Sequence, residues 1–479
     1  MQVCISGVGV GIPSHRLAVA DITAAWGRKG GRGQIAICGP DEDALTLAWS
    51  AGSAAIAASG FDADHIDGLW WGTTRPPFAE GPNHSILGAT LSLRSTAVGC
   101  LTAGSHHAGI DALFAAADAV AAGTVRTAVV VMSDAQRPGV GTTFETRCGA
   151  GAAAVVLVAK SDAAPGAAVL GTRSSYALPL LDRYRGDAEA DTRDLYDGRL
   201  FREEMFLPVV GHVAQQIASL EPAPSAWSLP DPDGRLAATI AKSVSATGDA
   251  HTSASVYAAL GDTGAAAVLV GAIGAFATAS GGTTALVAYG GGRASSVAIT
   301  TTAPLAGASL ALSAIHAAGV PASYTRMLRN RTQLTSNGET IPMGVPPESA
   351  LFARGALEML QMLGGRCVDC ETINTPPSIH PHCIACGGAK LEPVELAREG
   401  TVHTYVINYT MPAPFEAPLP IAVIDLDDGS RIMLQVADDG SNVEIGAHMR
   451  LVLRKYAHER GAPVYGFKAQ PCNLGQVAP

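Results

Sequence analysis

The sequence contains few charged residues. Of its 479 residues, 15% are Asp, Glu, Lys or Arg and 5% are aromatic, and the formal net charge is -10. A chain without an excess of basic residues lacks the positive field that attracts nucleic acid or anionic lipid. We therefore expect its partners to be small molecules and other proteins, with no nucleic acid and no membrane among them.

Signals for export and for membrane insertion are also missing. The opening MQVCISGVGVGIPSHRL lacks the charged and apolar regions of a signal peptide, and it indicates a first strand followed by a turn. The runs GAAAVVLVAK and GAAAVLVGAIGAFATA are too short, or too rich in Gly and Ala, for a spanning helix. The sequence thus predicts a cytoplasmic protein whose nine cysteines are metal ligands or core residues rather than disulfides.

Small and apolar residues are abundant, and they form two passages with the same order of signals. TAGSHHAG opens an Ala-rich helix that ends near Gly123, and the strands RTAVVVMSD and GAGAAAVVLVA follow. LGDTGAAAVLVGAIGAFATASGGTTALVAYGGG gives a turn, an apolar helix from about Ala265 and a strand. Helices that are apolar all round must be covered on both sides. The pattern predicts a duplicated five-layered α/β/α/β/α domain with two helix N-termini at one cleft; two unrelated βαβ segments are the alternative.

Residues 1–335 resemble the thiolase superfamily, especially its hydroxymethylglutaryl-CoA synthase and ketoacyl-ACP synthase III branches. The order of ISGVGVGIPSHRL, GLWWGTTRPP, CGAGAAAVVLVAK and LVAYGGGRASS carries this resemblance. It implies a thiolase-like domain over residues 1–340, with pseudo-repeats at about 1–165 and 166–302 and a helical extension. It also implies an acyl-CoA or acyl-carrier-protein thioester as substrate, and a homodimer or a heterodimer with a thiolase-like homologue.

The segment CVDCETINTPPSIHPHCIACGG carries the sharpest chemical signal. Two CxxC pairs are separated by twelve residues, a spacing at which four thiolates close a tetrahedral shell around zinc. The predicted ligands are Cys367, Cys370, Cys383 and Cys386. A closed set of four thiolates predicts a structural zinc ribbon over residues 364–392; a disulfide pair is the alternative, and His380 and His382 are competing ligands.

Short alternating segments after the ribbon predict an all-β, OB-like barrel over residues 393–479. Residues 364–479 contain nine Lys and Arg against thirteen Asp and Glu, which argues against nucleic acid as the ligand. Ribbon and barrel together resemble the zinc-ribbon/OB-fold family that accompanies thiolase-like enzymes, which implies a role in acyl-CoA handling or assembly. NGETIPMGVPPES and the helix ESALFARGALEMLQML form the linker and lead-in helix assigned to 341–363.

The resemblance implies a catalytic Cys seventeen residues before the Gly that closes the first helix, but counting back from Gly123 gives His106. Cys100 lies six residues upstream in the strand STAVGCLTA, where a buried small side chain is the commoner fate of a cysteine. A lengthened turn would bring Cys100 into the cleft, so it stays a candidate nucleophile.

The other positions implied by the resemblance are also altered. The second-repeat turn reads GDT and gives Asp262, the cleft loop GTTRPP gives Thr74 in place of a general-acid Glu, and Pro230 stands where a His is expected. The candidate catalytic residues are therefore His106, Asp262, Cys100 and Thr74. A neutral His at a helix start would act as a general base, and an Asp would orient it. The alternative is that His106 and His107 fill and cap a degenerate cleft.

These observations predict an acyltransferase-like enzyme acting on an acyl-CoA or carrier-protein thioester without the usual Cys nucleophile. A degenerate subunit that supports an active homologue and a thiolase-fold aldolase are the alternatives. Three weaker features have plainer interpretations: His251 as a polar loop residue, Arg199 as part of a solvated helix start, and the basic run Tyr324 to Arg331 as a solvent-facing helix rather than a CoA phosphate site.

Overall fold

The computed structural model describes residues 1–194, 198–334, 350–410, 418–437, 443–459 and 462–472. The predicted linker at 337–349 lies outside these residues. Within the described part of the chain, no helix combines the length and the apolar character needed to cross a bilayer.

The first half of the N-terminal domain begins and ends with strands that are buried over nearly their whole length. Its elements in chain order are β1 (Val3–Gly11), β2 (His15–Ala18), α1 (Val19–Ala25), β3 (Gln34–Ile37), α2 (Ala44–Ser59), β4 (Gly68–Thr73), α3 (Asn83–Thr90), β5 (Val98–Ala103), α4 (Ala108–Ala122), β6 (Thr127–Ala135) and β7 (Ala150–Ala159).

The second half repeats this pattern with shorter, broken helices. Its elements are β8 (Ala168–Ala177), β9 (Arg183–Tyr184), β10 (Arg193–Asp194), α5 (Gly198–Leu200), α6 (Leu207–Ala218), β11 (Ala226–Ser228), α7 (Leu236–Ser243), α8 (Ser253–Leu260), α9 (Ala267–Val270), α10 (Ile273–Ala277), β12 (Gly282–Gly290), β13 (Arg293–Thr301), α11 (Ala308–His316), β14 (Val320–Pro321) and α12 (Tyr324–Asn330). A π-helical turn over Phe201–Phe206 joins α5 to α6.

Nine strands form one hydrogen-bonded sheet in the order β11-β12-β13-β8-β1-β7-β6-β4-β5. Only two residue pairs, Cys4 with Val169 and Ile5 with Ala168, join its two halves between β1 and β8. Since successive side chains of a strand point to opposite faces, each half can contribute to two cores. The narrow junction divides the sheet into two halves, each with a core on either face.

Three apolar cores establish the order of the layers. In β6, Val129 and Val131 pack with α2, whereas the alternate residue Val130 packs with α4. In β12, Leu286 joins that same central core, while Val287 packs with α6 and α7. The order is therefore α2, first half-sheet, the central helices α4 and α9 to α11, second half-sheet, and α6 with α7, which confirms the predicted five-layered α/β/α/β/α fold.

The C-terminal part contains the helix α13 (Ala350–Gln361) and two small sheets. The ribbon strands are β15 (Leu363–Cys367), β16 (Ile373–Asn374) and β17 (Leu391–Glu395). The barrel strands are β18 (Glu399–Asn408), β19 (Leu419–Leu426), β20 (Arg431–Gln435), β21 (His448–Glu459) and β22 (Ala462–Pro471), in the order β20-β19-β18-β21-β22. This is the barrel that the alternating segments predict.

The barrel docks on the segment that leads into α2. Lys468 Nζ donates to Asp41 Oδ2 at 2.9 Å, and the Tyr465 hydroxyl donates to Asp43 at 2.8 Å. Phe467 packs edge-on against Trp49 with ring centroids 5.4 Å apart. Burial raises the pKa of Asp41, but the charges of Lys468 and Arg454 outweigh burial and hold it below its usual range. An ion pair removed from water in this way fixes the barrel to one place on the N-terminal domain.

Candidate active site

A cavity of about 220 Å³ lies where the two halves of the N-terminal domain meet. Its wall includes the loop after β4, the turn between β5 and α4, the end of β6, β9 and the end of β12. Of the four candidate catalytic residues, Thr74, His106 and Asp262 line this cavity, and Cys100 does not. The structure thus brings together residues that are up to 188 positions apart in the chain.

His106 lies in the tight turn that connects β5 to α4. Gly104 adopts a φ of +104°, which glycine tolerates because it has no Cβ, and the Ser105 hydroxyl accepts the His107 N–H at 3.2 Å. A Cβ at Gly290 would lie 2.6 Å from the His107 nitrogen and 2.8 Å from the His106 nitrogen. Only glycine at position 290 allows the end of β12 to approach this turn so closely, and the approach places His106 between the two halves of the domain.

His106, Asp262 and Arg183 form a charged group on the cavity wall. The His106 Nδ1 lies 3.8 Å from Asp262 Oδ2, and Arg183 Nη1 lies 3.3 Å from His106 Nε2. A guanidinium only donates hydrogen bonds, so a hydrogen bond from Arg183 to His106 requires the tautomer with the lone pair at Nε2 and the proton at Nδ1, facing Asp262.

Asp262 and Arg183 are themselves held in place. The Asp262 backbone bonds to Arg147 O and to Gly149 N, both at 2.8 Å, and its Oδ1 accepts the Gly264 N–H at 2.9 Å. The Arg183 guanidinium stacks on the Phe144 ring at 3.9 Å. Both side chains therefore reach the cavity from backbone that the surrounding structure fixes.

The carboxylate of Asp134 forms the floor of the cavity. It accepts hydrogen bonds from the Thr73 hydroxyl (3.1 Å), the Thr74 N–H (2.9 Å), the Thr74 hydroxyl (2.5 Å) and the Ala265 N–H (2.7 Å). Burial raises the pKa of Asp134 above its usual range, and the hydrogen bonds from Ala265 and Thr74 act in the opposite direction. Thr74 lines the cavity, and its hydroxyl donates a hydrogen bond to Asp134 on the cavity floor.

Most charged residues of the cavity were not singled out from the sequence, and Arg183 and Asp231 are two of them. Arg183 belongs to a two-residue strand, β9, which leaves no periodic signal. Asp231 lies between Pro230 and Pro232 on the cavity wall. Burial, and then the charges of Asp233 and Asp262, raise the pKa of Asp231 to about 6. A carboxyl that titrates near neutrality inside a cavity is a candidate acid or base; its position beside the expected His site was the only available signal.

The remaining sequence candidates lie elsewhere. His107 is buried, with Nδ1 at 2.9 Å from Asp111 and Nε2 at 2.9 Å from the Ser295 hydroxyl, so it joins α4 to β13. Cys100 lies in β5 as expected of a strand residue, but it is exposed because β5 is the edge of the sheet. His251 is half-buried and does not line the cavity.

Two basic segments named from the sequence are engaged outside the cavity. Arg199 is exposed and pairs with Glu203 at 3.0 Å, one helical turn away. The run that begins at Tyr324 forms α12, whose Met327 and Leu328 are buried against α1 and its neighbours. The Arg331 guanidinium donates to Cys148 O at 3.2 Å. This helix is therefore packed on one side, and neither Arg199 nor the run from Tyr324 to Arg331 contributes to the cavity wall.

The four ribbon cysteines form a cluster whose Sγ atoms all lie within 4.8 Å of one another. Cys367 and Cys386 are 3.6 Å apart at Sγ, and Cys370 and Cys383 are 3.5 Å apart. Disulfide sulfurs are about 2.05 Å apart, whereas a tetrahedral zinc site with Zn–S bonds of about 2.3 Å separates its sulfurs by about 3.8 Å. Backbone N–H groups of Cys386 and Ala385 lower the pKa of Cys383 to about 6. The donor set fits a tetrahedral metal ion.

Different parts of the chain are similar to different known proteins. The C-terminal OB-fold domain of ChsH2 matches residues 393–454. A DUF35 domain-containing scaffold protein of Methanothermobacter thermautotrophicus is 33% identical over 116 residues, which cover 23% of this chain and 86% of that protein. The hydroxymethylglutaryl-CoA synthase of Pyrococcus horikoshii is 28% identical over 161 residues, 33% of this chain. The match covers 46% of that synthase, about half its length.

Solved structures show the same fold for the N-terminal domain. MvaS in complex with 3-hydroxy-3-methylglutaryl coenzyme A superposes with a TM-score of 0.60 at 20% identity, and the match covers 72% of this chain and 95% of that one. At this identity the likeness establishes the fold and leaves the activity to the residues of the cavity.

We expect replacement of Asp231 by Asn to change the pH dependence of stability. A carboxyl with a folded-state pKa of about 6 and an unfolded value of 3.8 binds its proton more tightly when folded, so its contribution to stability falls as pH rises from about 4 to 6. Asp231→Asn removes this loss and should stabilise the protein by about 2–3 kcal/mol above pH 7. Thermal melting at pH 4.5 to 8 measures the difference.

The exposed Asp187 provides the control, because Asp187→Asn should leave the pH profile unchanged. The assignment of a raised pKa to Asp231 would be contradicted if the stability difference between Asp231→Asn and the native chain did not grow as the pH rises.

Proposed function

The chain belongs through its C-terminal part to the DUF35 domain family and joins it to a thiolase-like fold; on this premise we propose that it is an acyltransferase-like enzyme that acts on acyl-CoA or acyl-carrier-protein thioesters. The relatives that support the proposal are MvaS in complex with 3-hydroxy-3-methylglutaryl coenzyme A and hydroxymethylglutaryl-CoA synthases. In the proposal, this chain performs its reaction without a cysteine nucleophile.

The observation that carries the proposal is the arrangement at the start of α4. His106 occupies the position that the resemblance assigns to a catalytic Cys, and its ring lies 3.8 Å from Asp262 and 3.3 Å from Arg183. Cys100 does not line this cavity and is exposed on the edge strand β5. Among the described residues, Cys148 is the one cysteine that lines the cavity, and it is 2% exposed.

The arrangement supports direct transfer by general-base catalysis. Nε2 of His106 takes the proton from the incoming nucleophile once the substrate displaces the Arg183 contact, and the nucleophile attacks the thioester carbonyl. The C–S bond then breaks, and the departing thiolate takes the proton back from the imidazolium. Asp262 stabilises the imidazolium from the Nδ1 side, and Arg183 stabilises the negative charge that develops on the carbonyl oxygen.

We also propose that the ribbon cysteines Cys367, Cys370, Cys383 and Cys386 hold a structural zinc ion. A closed shell of four thiolates leaves no open position for substrate, so the metal would stabilise the ribbon rather than take part in the reaction.

A second candidate function is that of a supporting subunit for an active thiolase-like homologue. The C-terminal relatives are named scaffold proteins, and the edge strand β5 exposes backbone groups that could pair with another subunit. In either function the chain forms a homodimer or a heterodimer.

Incubation with labelled acyl-CoA tests the main proposal. We expect the native chain to turn over the thioester without a covalent acyl adduct in its intact mass, because no thiol lies at the start of α4. His106→Ala should lower the rate by about 10²- to 10⁴-fold, the usual contribution of a general base. His106→Cys should accumulate an acyl adduct, since a thiolate at a helix start is nucleophilic. Cys100→Ala is the matched control and should behave as the native chain.

An acyl adduct on the native chain that disappears in Cys100→Ala would contradict the proposal. Turnover that needs a co-purified homologue would favour the supporting-subunit function instead.

Zinc content tests the ribbon. The purified chain should contain one zinc ion per chain, and Cys367→Ser should lose it and melt at a lower temperature, because metal binding contributes to the folding of such ribbons. The exposed thiol Cys100 again serves as the control position. Metal-free protein with oxidised cysteine pairs would contradict the zinc assignment.

A further inference from the structure

Three arginines other than Arg183 line the same cavity: Arg75, Arg137 and Arg185. Arg75 is half-buried, the side chain of Arg137 is 20% exposed, and Arg185 is exposed. Guanidinium groups match the geometry of carboxylates and phosphates, and they bind these anions through two parallel hydrogen bonds. No step of the proposed reaction uses this group of arginines.

The three side chains converge on one short loop. Arg185 Nη1 donates to Glu189 O at 3.0 Å, and Arg75 Nη1 donates to Ala190 O. Arg137 Nε forms an ion pair with Asp191 at 2.5 Å. Three consecutive residues, 189 to 191, thus receive three arginines, and Asp191 is the single carboxylate among these contacts.

Positive charge therefore accumulates at this part of the cavity wall. Burial lowers the pKa of Arg75, and the charges of Arg185 and Arg137 lower it further, since both repel its positive form. Among the described residues, Arg75 and Arg185 contact backbone carbonyls rather than carboxylates. Like charges held at one wall favour the binding of an anion, which would relieve their repulsion.

Resting on the proposed function, we propose that Arg75, Arg137 and Arg185 form a subsite for an anionic group of the substrate. The group is a carboxylate carried by the acyl chain or a phosphate carried by the thioester's coenzyme or carrier arm. Arg75 follows Thr74, whose hydroxyl is bonded to Asp134 on the cavity floor. The subsite is therefore attached to the same floor that lies beside His106, and an anion bound there would orient the thioester toward the imidazole.

Calorimetric binding to the full chain tests the subsite. The probes are butyryl-N-acetylcysteamine, which is uncharged, succinyl-N-acetylcysteamine, which adds one carboxylate, and butyryl-CoA, which adds phosphates. The variants are Arg75→Gln and Arg185→Gln. Because Arg185 is exposed, Arg185→Gln should keep the fold, and a loss of binding in this variant reports the subsite itself. Arg94→Gln is the matched control, because Arg94 pairs with Asp67 outside the cavity.

If the anion is a carboxylate of the acyl chain, both variants should bind succinyl-N-acetylcysteamine about 10-fold more weakly and the butyryl thioester unchanged. If the anion is a phosphate, both variants should bind butyryl-CoA about 10-fold more weakly, and their affinity for the two cysteamine thioesters should not change. The subsite would be overturned if Arg75→Gln and Arg185→Gln bound every probe with the same affinity as Arg94→Gln. It would also be overturned if the native chain bound none of the probes. Arginine-dependent binding without acyl transfer would keep the subsite and refute the proposed function.

Discussion

The buried carboxylate of Asp134 is the interaction on which the site depends. It receives donors from the end of β4 and from the turn that precedes α9, although these segments lie about 190 residues apart in the chain. A Cβ at Gly264 would lie 2.2 Å from Asp134 Oδ2, so the turn can reach the carboxylate only with glycine at that position. This contact joins the two halves at the bottom of the cavity and fixes the backbone that carries Asp262 and Thr74.

Charge is distributed unevenly around the cavity. Four aspartates (Asp134, Asp182, Asp231 and Asp262) contribute carboxyl groups, and four arginines contribute positive charge. His106 contacts Asp262 on one side and Arg183 on the other, so its ring lies between a negative and a positive charge. Keeping ionisable groups together in this way costs stability, which is common at sites that bind or transform charged ligands. The barrel, in contrast, uses its buried ion pairs to fix one position against α2.

Much of this organisation could be predicted from the sequence, partly from local patterns and partly from the family resemblance. The Gly at position 123 ends α4 with a left-handed φ of 76°, and the seventeen-residue spacing that the resemblance implies leads back from it to His106 on the cavity wall. The resemblance likewise points to the Gly-Asp-Thr turn and so to Asp262. Helices that are apolar all round must be covered on both sides, and this predicts the layers. The spacing of the four cysteines predicts their cluster.

Other features depend on tertiary contacts that leave no local pattern. Cys100 has the neighbours of a buried strand residue, but β5 lies at the edge of the sheet and exposes it. His107 is adjacent to His106 and yet is buried between Asp111 and Ser295, because consecutive residues at a helix start face different directions. Arg183 reaches the cavity from a strand of two residues.

The central claim is that a neutral His106, with Asp262 beside it, acts directly on a bound thioester. A crystal structure with a thioether analogue of an acyl-CoA, in which a methylene group replaces the thioester carbonyl, tests this claim most directly. The account predicts that the methylene carbon faces His106 Nε2 across a gap that fits one nucleophile atom, about 3 Å from Nε2 and about 3–3.5 Å from that carbon. An analogue whose reacting carbon lies against Cys100 or Cys148, or outside the cavity, would contradict it.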